Sequence, residues 1–348
     1  MSLLYSEVEE ELRAAVRDLL ADRCPPSAVL KRAESRPYDP DLWKTLAGEI
    51  GVAGLIVPEE YGGAGASASE AAVVLEELGR GIAPVPFFTS SVLATRALVQ
   101  AGAGELLERL ADGRSTAALA VSFAASPYRP DRGASVRHSG GTLSGTVTGV
   151  AGADVADVLL VPVEGDLYHV EGAEVRAETS FDLTRPVSTV TFDGAGATRV
   201  GDVDLVAVLR FGAGLLASEQ YGVAQWCLDT TLAYVKERHQ FARPVGSFQS
   251  IKHRLADLWL DVVRARAAAR NAVTEDTPVA AAVAQAWNAG VAVRAAEEAL
   301  QLHGGIGMTW EHPLHLYLKR AKSAEVALGT PGDHREALAS LAGVPAPE

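Results

Sequence analysis

Cysteine is the first scarcity: Cys24 and Cys227 are the only two among 348 residues. That is too few for a disulfide framework or a cysteine-based zinc site, and it fits a reducing cytoplasm. No uninterrupted apolar run reaches the ~18 residues of a membrane-crossing helix, and no basic, apolar, small-residue leader opens the chain. A soluble, cytoplasmic protein is the expectation. Long basic tracts are also missing. With 31 Lys and Arg against 44 Asp and Glu, the formal net charge is −13, which argues against nucleic acid or an anionic membrane as partner and leaves room only for a small anion held locally. Neither an internal repeat nor a low-complexity tract is present. What the chain does have is apolar residues, 48% of the total, enough to fill the two or three cores that this length implies.

The pattern of those residues changes twice. In "VEEELRAAVRDLLADR", Val8, Leu12, Val16, Leu19 and Leu20 recur at helical spacing, and this periodicity continues to about residue 115, broken by "VPEEYGGAGAS" and "GIAPVPF". Between residues 116 and 206 short Val/Thr/Leu runs bounded by Gly, Asp and Pro ("AALAVSF", "TLSGTVTGV", "DVLLVPV", "STVTF") predict a β domain. Helical periodicity returns over 207–348 in three long segments, apolar over much of their surface. These predict a helical bundle continued across a subunit interface. The fold class is therefore α+β and multidomain: N-terminal helices, a middle β domain and a C-terminal helical bundle.

Three short stretches carry candidate chemistry. In "RHQFARPVGSFQSIKH", Arg238 and Phe241 are expected to share a helical face, and Gln249 follows a Pro-Gly turn that points the next helix back alongside. A guanidinium, a ring and an amide brought together suit a nucleotide cofactor with a diphosphate, or else a solvated helix end over a core Phe. "QLHGGIG" places Gln301 at a helix end where Gly304 and Gly305 allow positive φ or close approach of a ligand, or form a plain helix cap. "EHPLHLY" offers Glu311, His312 and His315, which lack a third ligand at zinc spacing and are read as packing, as are His253 and His334. No metal is expected.

These motifs, in this order and over nearly the whole chain, resemble the acyl-CoA dehydrogenase family. "LWKTLAGEIGVAGLIVPEEYGGAGASASEAAVVLEELGRGIAPVPF" is similar to its N-terminal domain, "RHQFARPVGSFQSIKHRLADLWL" to its flavin-contacting helix pair and "LQLHGGIGMTWEHPLHLYLKRAK" to its C-terminal glycine turn. The resemblance implies that the C-terminal domain is a four-helix bundle, with FAD as cofactor, an acyl-CoA thioester as substrate, a dimer or tetramer, and an electron-transfer flavoprotein or similar acceptor. It also implies that Arg238, Phe241, Gln249, Gln301, Gly304, Gly305 and Thr330 contact FAD, several of them across a subunit interface.

The family reaction needs a carboxylate to take the α-proton while hydride leaves for the flavin. Most members carry it in a Tyr-Glu-Gly-Thr turn. Here "SAEVALGTPGDH" puts Ala327 and Leu328 in the Tyr and Glu positions. A minority carry it about seven turns before the Arg-x-x-Phe motif on the first bundle helix, which here is Gly212. In the β domain Gly149 and Ala151 stand where the family's Trp and Thr flank the flavin ring. Backbone N–H groups near Leu328 remain as expected donors to a thioester carbonyl. Three readings follow: a subunit of a heteromeric enzyme that completes the FAD site of a Glu-containing homologue, a self-sufficient homomer with a relocated base, or a non-redox or structural member. For the second, Glu219, two turns beyond Gly212, is the first candidate base and Glu325 the next.

Overall fold

The computed structural model describes residues 3–35 and 38–343; the first two residues and the last five of the expected C-terminal domain lie outside the described residues. Six helices come first: α1 (Glu7–Arg23), α2 (Pro26–Arg32), α3 (Pro40–Gly48), α4 (Ala68–Gly81), α5 (Thr95–Ala101) and α6 (Gly104–Ala111). Helices α1 and α4 start at reciprocal caps, Ser6 with Glu9 and Ser67 with Glu70, where the serine satisfies orphan backbone donors and the glutamate returns to the cap's own N–H. The stripe on α1 is shorter than its spacing suggests, because Val16 and Leu20 are buried whereas Val8 is exposed. Between α4 and α5 the chain forms a π-helix, Phe87–Ala94, with every residue buried. Its wider turn aims Phe88, Thr89 and Leu93 at the rest of the molecule.

The middle domain is a seven-stranded sheet. Its strands are β1 (Ala117–Leu119), β2 (Arg137–Ser139), β3 (Thr142–Ala151), β4 (Val158–Val163), β5 (Asp166–Glu171), β6 (Glu174–Ala177) and β7 (Val187–Asp202). The order is β1-β4-β5-β7-β3-β2 with β6 also on β7, and only the β1–β4 pair is parallel. The alternating buried side chains Leu143, Val147, Val190 and Phe192 give this sheet a core of its own. Register slips between Val147 and Val150 on β3, and Gly149, at φ 71°, supplies the left-handed residue of that bulge.

The third part is built on α7 (Leu205–Glu237), whose 33 residues span about 50 Å. After the hairpin β8 (His239–Gln240) and β9 (Arg243–Pro244) come α8 (Gln249–Glu275), α9 (Pro278–His303), α10 (Leu314–Val326) and α11 (Pro331–Leu341). The order of helices, sheet and bundle matches the sequence expectation. Helix α7 crosses α4 backbone to backbone: a Cβ on Gly222 would lie 2.0 Å from the Glu76 carbonyl oxygen, and one on Gly79 2.3 Å from that of Glu219. Only glycine permits that approach. It buries the middle of α7, Glu219 included, where all three parts meet. Among the described residues no helix is long and apolar enough to cross a membrane.

Candidate functional site

The two positions where a base was sought are neighbours. A Cβ on Gly212 would come 3.0 Å from Leu328 Cδ1 and 2.4 Å from Leu93 Cδ2. Leu93, from the π-helix, therefore fills the space that a longer residue at 212 would need, and both leucines are buried. Leu328 sits in the left-handed region at φ 52°. Its N–H, one of the backbone groups here expected to serve a thioester carbonyl, instead donates to the Phe123 carbonyl at 2.9 Å. That expectation is corrected: the donor has a protein partner in place of a thioester.

Phe123 closes the other side as well. Its own N–H donates to the Gly149 carbonyl at 2.8 Å, so one residue spans from Gly149 to Leu328, the positions where the resemblance led to the ring wall and the base being sought. The backbone of a single residue is narrower than the stacked flavin and acyl chain that such a gap would hold. The Phe123 ring meets Phe88 edge-on, centroids 6.2 Å apart, and the Arg185 guanidinium lies 5.4 and 5.5 Å from the two ring centroids. The residues of this cleft do not fit a flavin ring.

Glu219 lies beside this closure in a buried ion network. Arg185 grips both of its carboxylate oxygens, one at 3.0 Å, and Arg320 approaches to 3.4 Å. Arg320 in turn donates to Asp182 at 2.5 Å and to the Thr184 hydroxyl at 2.7 Å. Burial alone would raise the Glu219 carboxyl, but the two guanidinium charges outweigh it and hold the group below the ordinary carboxylate value. A general base for an α-proton needs the opposite shift. Glu219 is thus no candidate base, because its oxygens tie α7 to α10 and to the β domain. Glu325 is on α10 and faces Lys322 at 3.7 Å.

The FAD-contact candidates separate into two places. Six of them gather at one end of the bundle. Tyr234, whose carbonyl accepts the Arg238 N–H at 2.9 Å, stacks on His303 with ring centroids 4.3 Å apart, which draws the end of α7 to the Gly304 turn. Arg238, Phe241, Gln249, Gln301, Gly304 and Gly305 are all exposed there. Arg238 and Phe241 do not share a helical face, however. Helix α7 stops at Glu237, and Phe241 and Ala242, at φ 52° and 59°, form the two-residue tip of the β8–β9 hairpin. The turn leaves the Phe241 ring 88% exposed, meeting the Phe248 ring edge-on with centroids 6.2 Å apart. Gly304 takes the expected positive φ, 63°, at the end of α9. Thr330 stands apart from this group: it caps α11, its hydroxyl 2.7 Å from the Asp333 carboxylate.

The histidines take up protein contacts. His315 stacks on Trp310, and His312 accepts the Leu314 N–H at 3.3 Å. His253 is 3.2 Å from the Gln249 amide. His334 is buried between the Leu328 carbonyl and the Tyr128 hydroxyl, 3.0 Å from each. Sequence reasoning singled out neither Leu93, Phe123 nor Tyr128, since nothing distinguishes them within their runs.

Family models match both ends of the chain: the acyl-CoA dehydrogenase N-terminal domain over residues 6–113 and the acyl-CoA dehydrogenase C-terminal domain over residues 204–341. Among curated proteins, the acyl-CoA dehydrogenase IpdE2 of Mycolicibacterium smegmatis is 37% identical across 94% of this chain and 96% of its own length. Among solved structures, a chain of the ChsE4-ChsE5 complex from Mycobacterium tuberculosis superposes with a TM-score of 0.86 at 28% identity, covering 99% of this chain and all of that one. A chain of the Tcur3481-Tcur3483 steroid ACAD does so with a TM-score of 0.86 at 29% identity, over 97% of this chain and 98% of the other.

Proposed function

Because the chain belongs to the acyl-CoA dehydrogenase family, an FAD-using oxidoreductase family, we propose that it is a subunit without a base of its own, which completes the FAD site of a Glu-containing homologue. The observation that carries this reading is the contrast between two places in one chain. The cleft that would hold its own flavin ring and thioester is bridged by Phe123 and filled by Leu93 and Leu328, whereas the bundle end with Arg238, Phe241 and Gln301 is open and exposed. An aromatic ring 88% exposed on a turn that is strained for both of its residues is built to be covered by something else.

Toward the partner's cofactor, the Arg238 guanidinium supplies a cation for the diphosphate, Phe241 a ring for an aromatic face, and Gln249 and Gln301 amides that donate and accept. Gly304 and Gly305 carry no side chain, and nothing lies within 4 Å of a Cβ placed on either, so a ligand can approach their backbone. The chemistry that FAD would supply there is acceptance of the hydride from the acyl β-carbon. Neither Leu328 nor Gly212 can take the α-proton, so the carboxylate for it would have to come from the homologue. An electron-transfer flavoprotein or similar acceptor would take the electrons from such an assembly. Likeness to two-component relatives, one of them a steroid ACAD, supports a bulky, steroid-derived acyl-CoA as the shared substrate.

The test is the flavin spectrum of the protein purified alone and then co-purified with a Glu-containing homologue. The expected result is little flavin alone, flavin in the pair, and anaerobic bleaching by acyl-CoA in the pair only. Stoichiometric flavin in the lone protein, reduced by a thioester, would refute the proposal.

A further inference from the structure

The seam that shuts the cleft is held from outside as well as inside. The loop after β1, residues 120–136, lies against the turn between α10 and α11, and three contacts stitch them. Leu328 N–H donates to Phe123 O at 2.9 Å, while His334 lies 3.0 Å from both Leu328 O and the Tyr128 hydroxyl. A carbonyl only accepts, so Nε2 of His334 carries the proton toward Leu328 and Nδ1 accepts from Tyr128. The rings of Tyr128 and His334 also meet edge-on, centroids 5.2 Å apart. His334 is 1% exposed and Tyr128 is 40% exposed, so the stitch runs from the interior to the surface. Ser126 accepts the N–H groups of Tyr128 and Arg129 and shapes the loop that presents the ring. A Cβ on Gly329 would lie 2.8 Å from His334 Nε2 and 3.0 Å from Ser126 Cβ, which shows how closely turn, imidazole and loop are fitted.

We propose that Tyr128 and His334 form a latch that holds the β-domain loop onto the Leu328 turn and so keeps this chain's own cleft closed to a thioester. The inference deepens the reading above and rests on its view that this cleft is idle. The latch makes a specific claim about coupling: loosening the loop at Tyr128 must loosen the turn at Leu328, since both ends of the stitch pass through one imidazole.

Hydrogen exchange measured by mass spectrometry on the full chain tests that claim. Tyr128→Phe removes one hydroxyl from a half-exposed ring and leaves the ring contact in place, so folding is not at stake. It is expected to speed exchange of peptides covering 122–132 and 327–334 together, roughly 2- to 12-fold, the factor for losing one net hydrogen bond. Tyr168→Phe, which removes a hydroxyl from the Asp166 and His138 contacts in the sheet, is the control and should leave both segments unchanged. Faster exchange confined to the loop, with the turn unaffected, overturns the latch. So does protection of both segments in the unaltered protein by octanoyl-CoA, because a thioester would then already have entry. Flavin content read on the same samples separates the two ideas: uncoupled exchange in a flavin-free chain overturns the latch and leaves the subunit reading, whereas stoichiometric FAD in the lone chain overturns the subunit reading and the closed cleft with it, even where the loop and the turn exchange together.

Discussion

Glu219→Gln discriminates between a catalytic and a structural carboxylate. In the native network two carboxylates, Asp182 and Glu219, face two guanidiniums, Arg185 and Arg320, and the side chains of Asp182, Glu219 and Arg320 are at most 2% exposed. The four charges cancel. The glutamine variant keeps the shape but leaves one net positive charge where water does not reach, and breaking a buried pair from one side costs about 3–5 kcal/mol. The same figure follows from two unit charges about 4 Å apart at an effective dielectric of about 20, worth about 4 kcal/mol. Urea unfolding of the variant, followed by circular dichroism, should show a loss of that size. Glu325→Gln, on a partly exposed helix face, should shift stability by no more than about 0.5 kcal/mol. Unaltered stability for Glu219→Gln, together with loss of flavin reduction in the assembled enzyme, would show that the carboxylate is a base and that the ion network was misjudged.

Two further predictions concern charge and the bundle end. His303 and His334 are held below the ordinary imidazole value of 6.5, burial being the first cause for each, as it is for His312 and His315. A histidine kept neutral by folding stabilises fully above its unfolded value and loses that contribution as pH falls toward the folded one, so the melting temperature should be lower at pH 5.5 than at pH 7.5. A higher melting temperature at pH 5.5 contradicts the assignment. Arg238→Ala in the assembled pair should weaken FAD retention by about 1.5–3 kcal/mol, on the order of 10- to 100-fold, without moving the unfolding midpoint of the lone chain. Equal retention in a filter-binding assay removes Arg238 from the cofactor site.

The three-part order was legible because helical and alternating periods differ and because Gly and Pro mark the changes between them. The Arg238–Phe241 geometry was not. Helical spacing ran on past Glu237, whereas the hairpin requires two residues at positive φ, a tip that Asn and Gly usually provide and that Phe and Ala occupy here. Tertiary context overrode local preference. Glu219 was conspicuous as a carboxylate in an apolar helix, yet its role depends on Arg185 and Arg320, 34 residues before it and 101 after it, and no spacing rule joins them. Leu93 and Phe123 were invisible for a plainer reason. An apolar residue that fills a cleft looks the same in sequence as one that fills a core.

The turn at Leu328 shows how shape can outlast chemistry. A leucine at φ 52° costs about 1–3 kcal/mol and persists only where its surroundings over-determine it. Those surroundings lie outside the turn. The Gln285 amide holds the carbonyls of Ala324 and Ala327 at 3.4 and 3.1 Å, Gln220 adds a bond to Ala324 at 3.1 Å, His334 lies 3.0 Å from the Leu328 carbonyl, and Phe123 accepts the Leu328 N–H. None of these contacts involves the side chain at 328. The turn therefore keeps its form whether that side chain is a proton acceptor or a hydrocarbon, and exchanging one for the other leaves the rest of the frame in register. Closing the cleft is a different matter, because it needs Leu93 beside Gly212 and the Phe123 backbone between Gly149 and Leu328, residues from five separate segments. A carboxylate returned to position 328 alone would lie desolvated against Leu93, biased toward its protonated form, with Phe123 across its approach. On the proposed reading the base and the space are thus separate matters, and restoring a carboxylate at position 328 without moving Leu93 and Phe123 is not expected to restore turnover in this cleft.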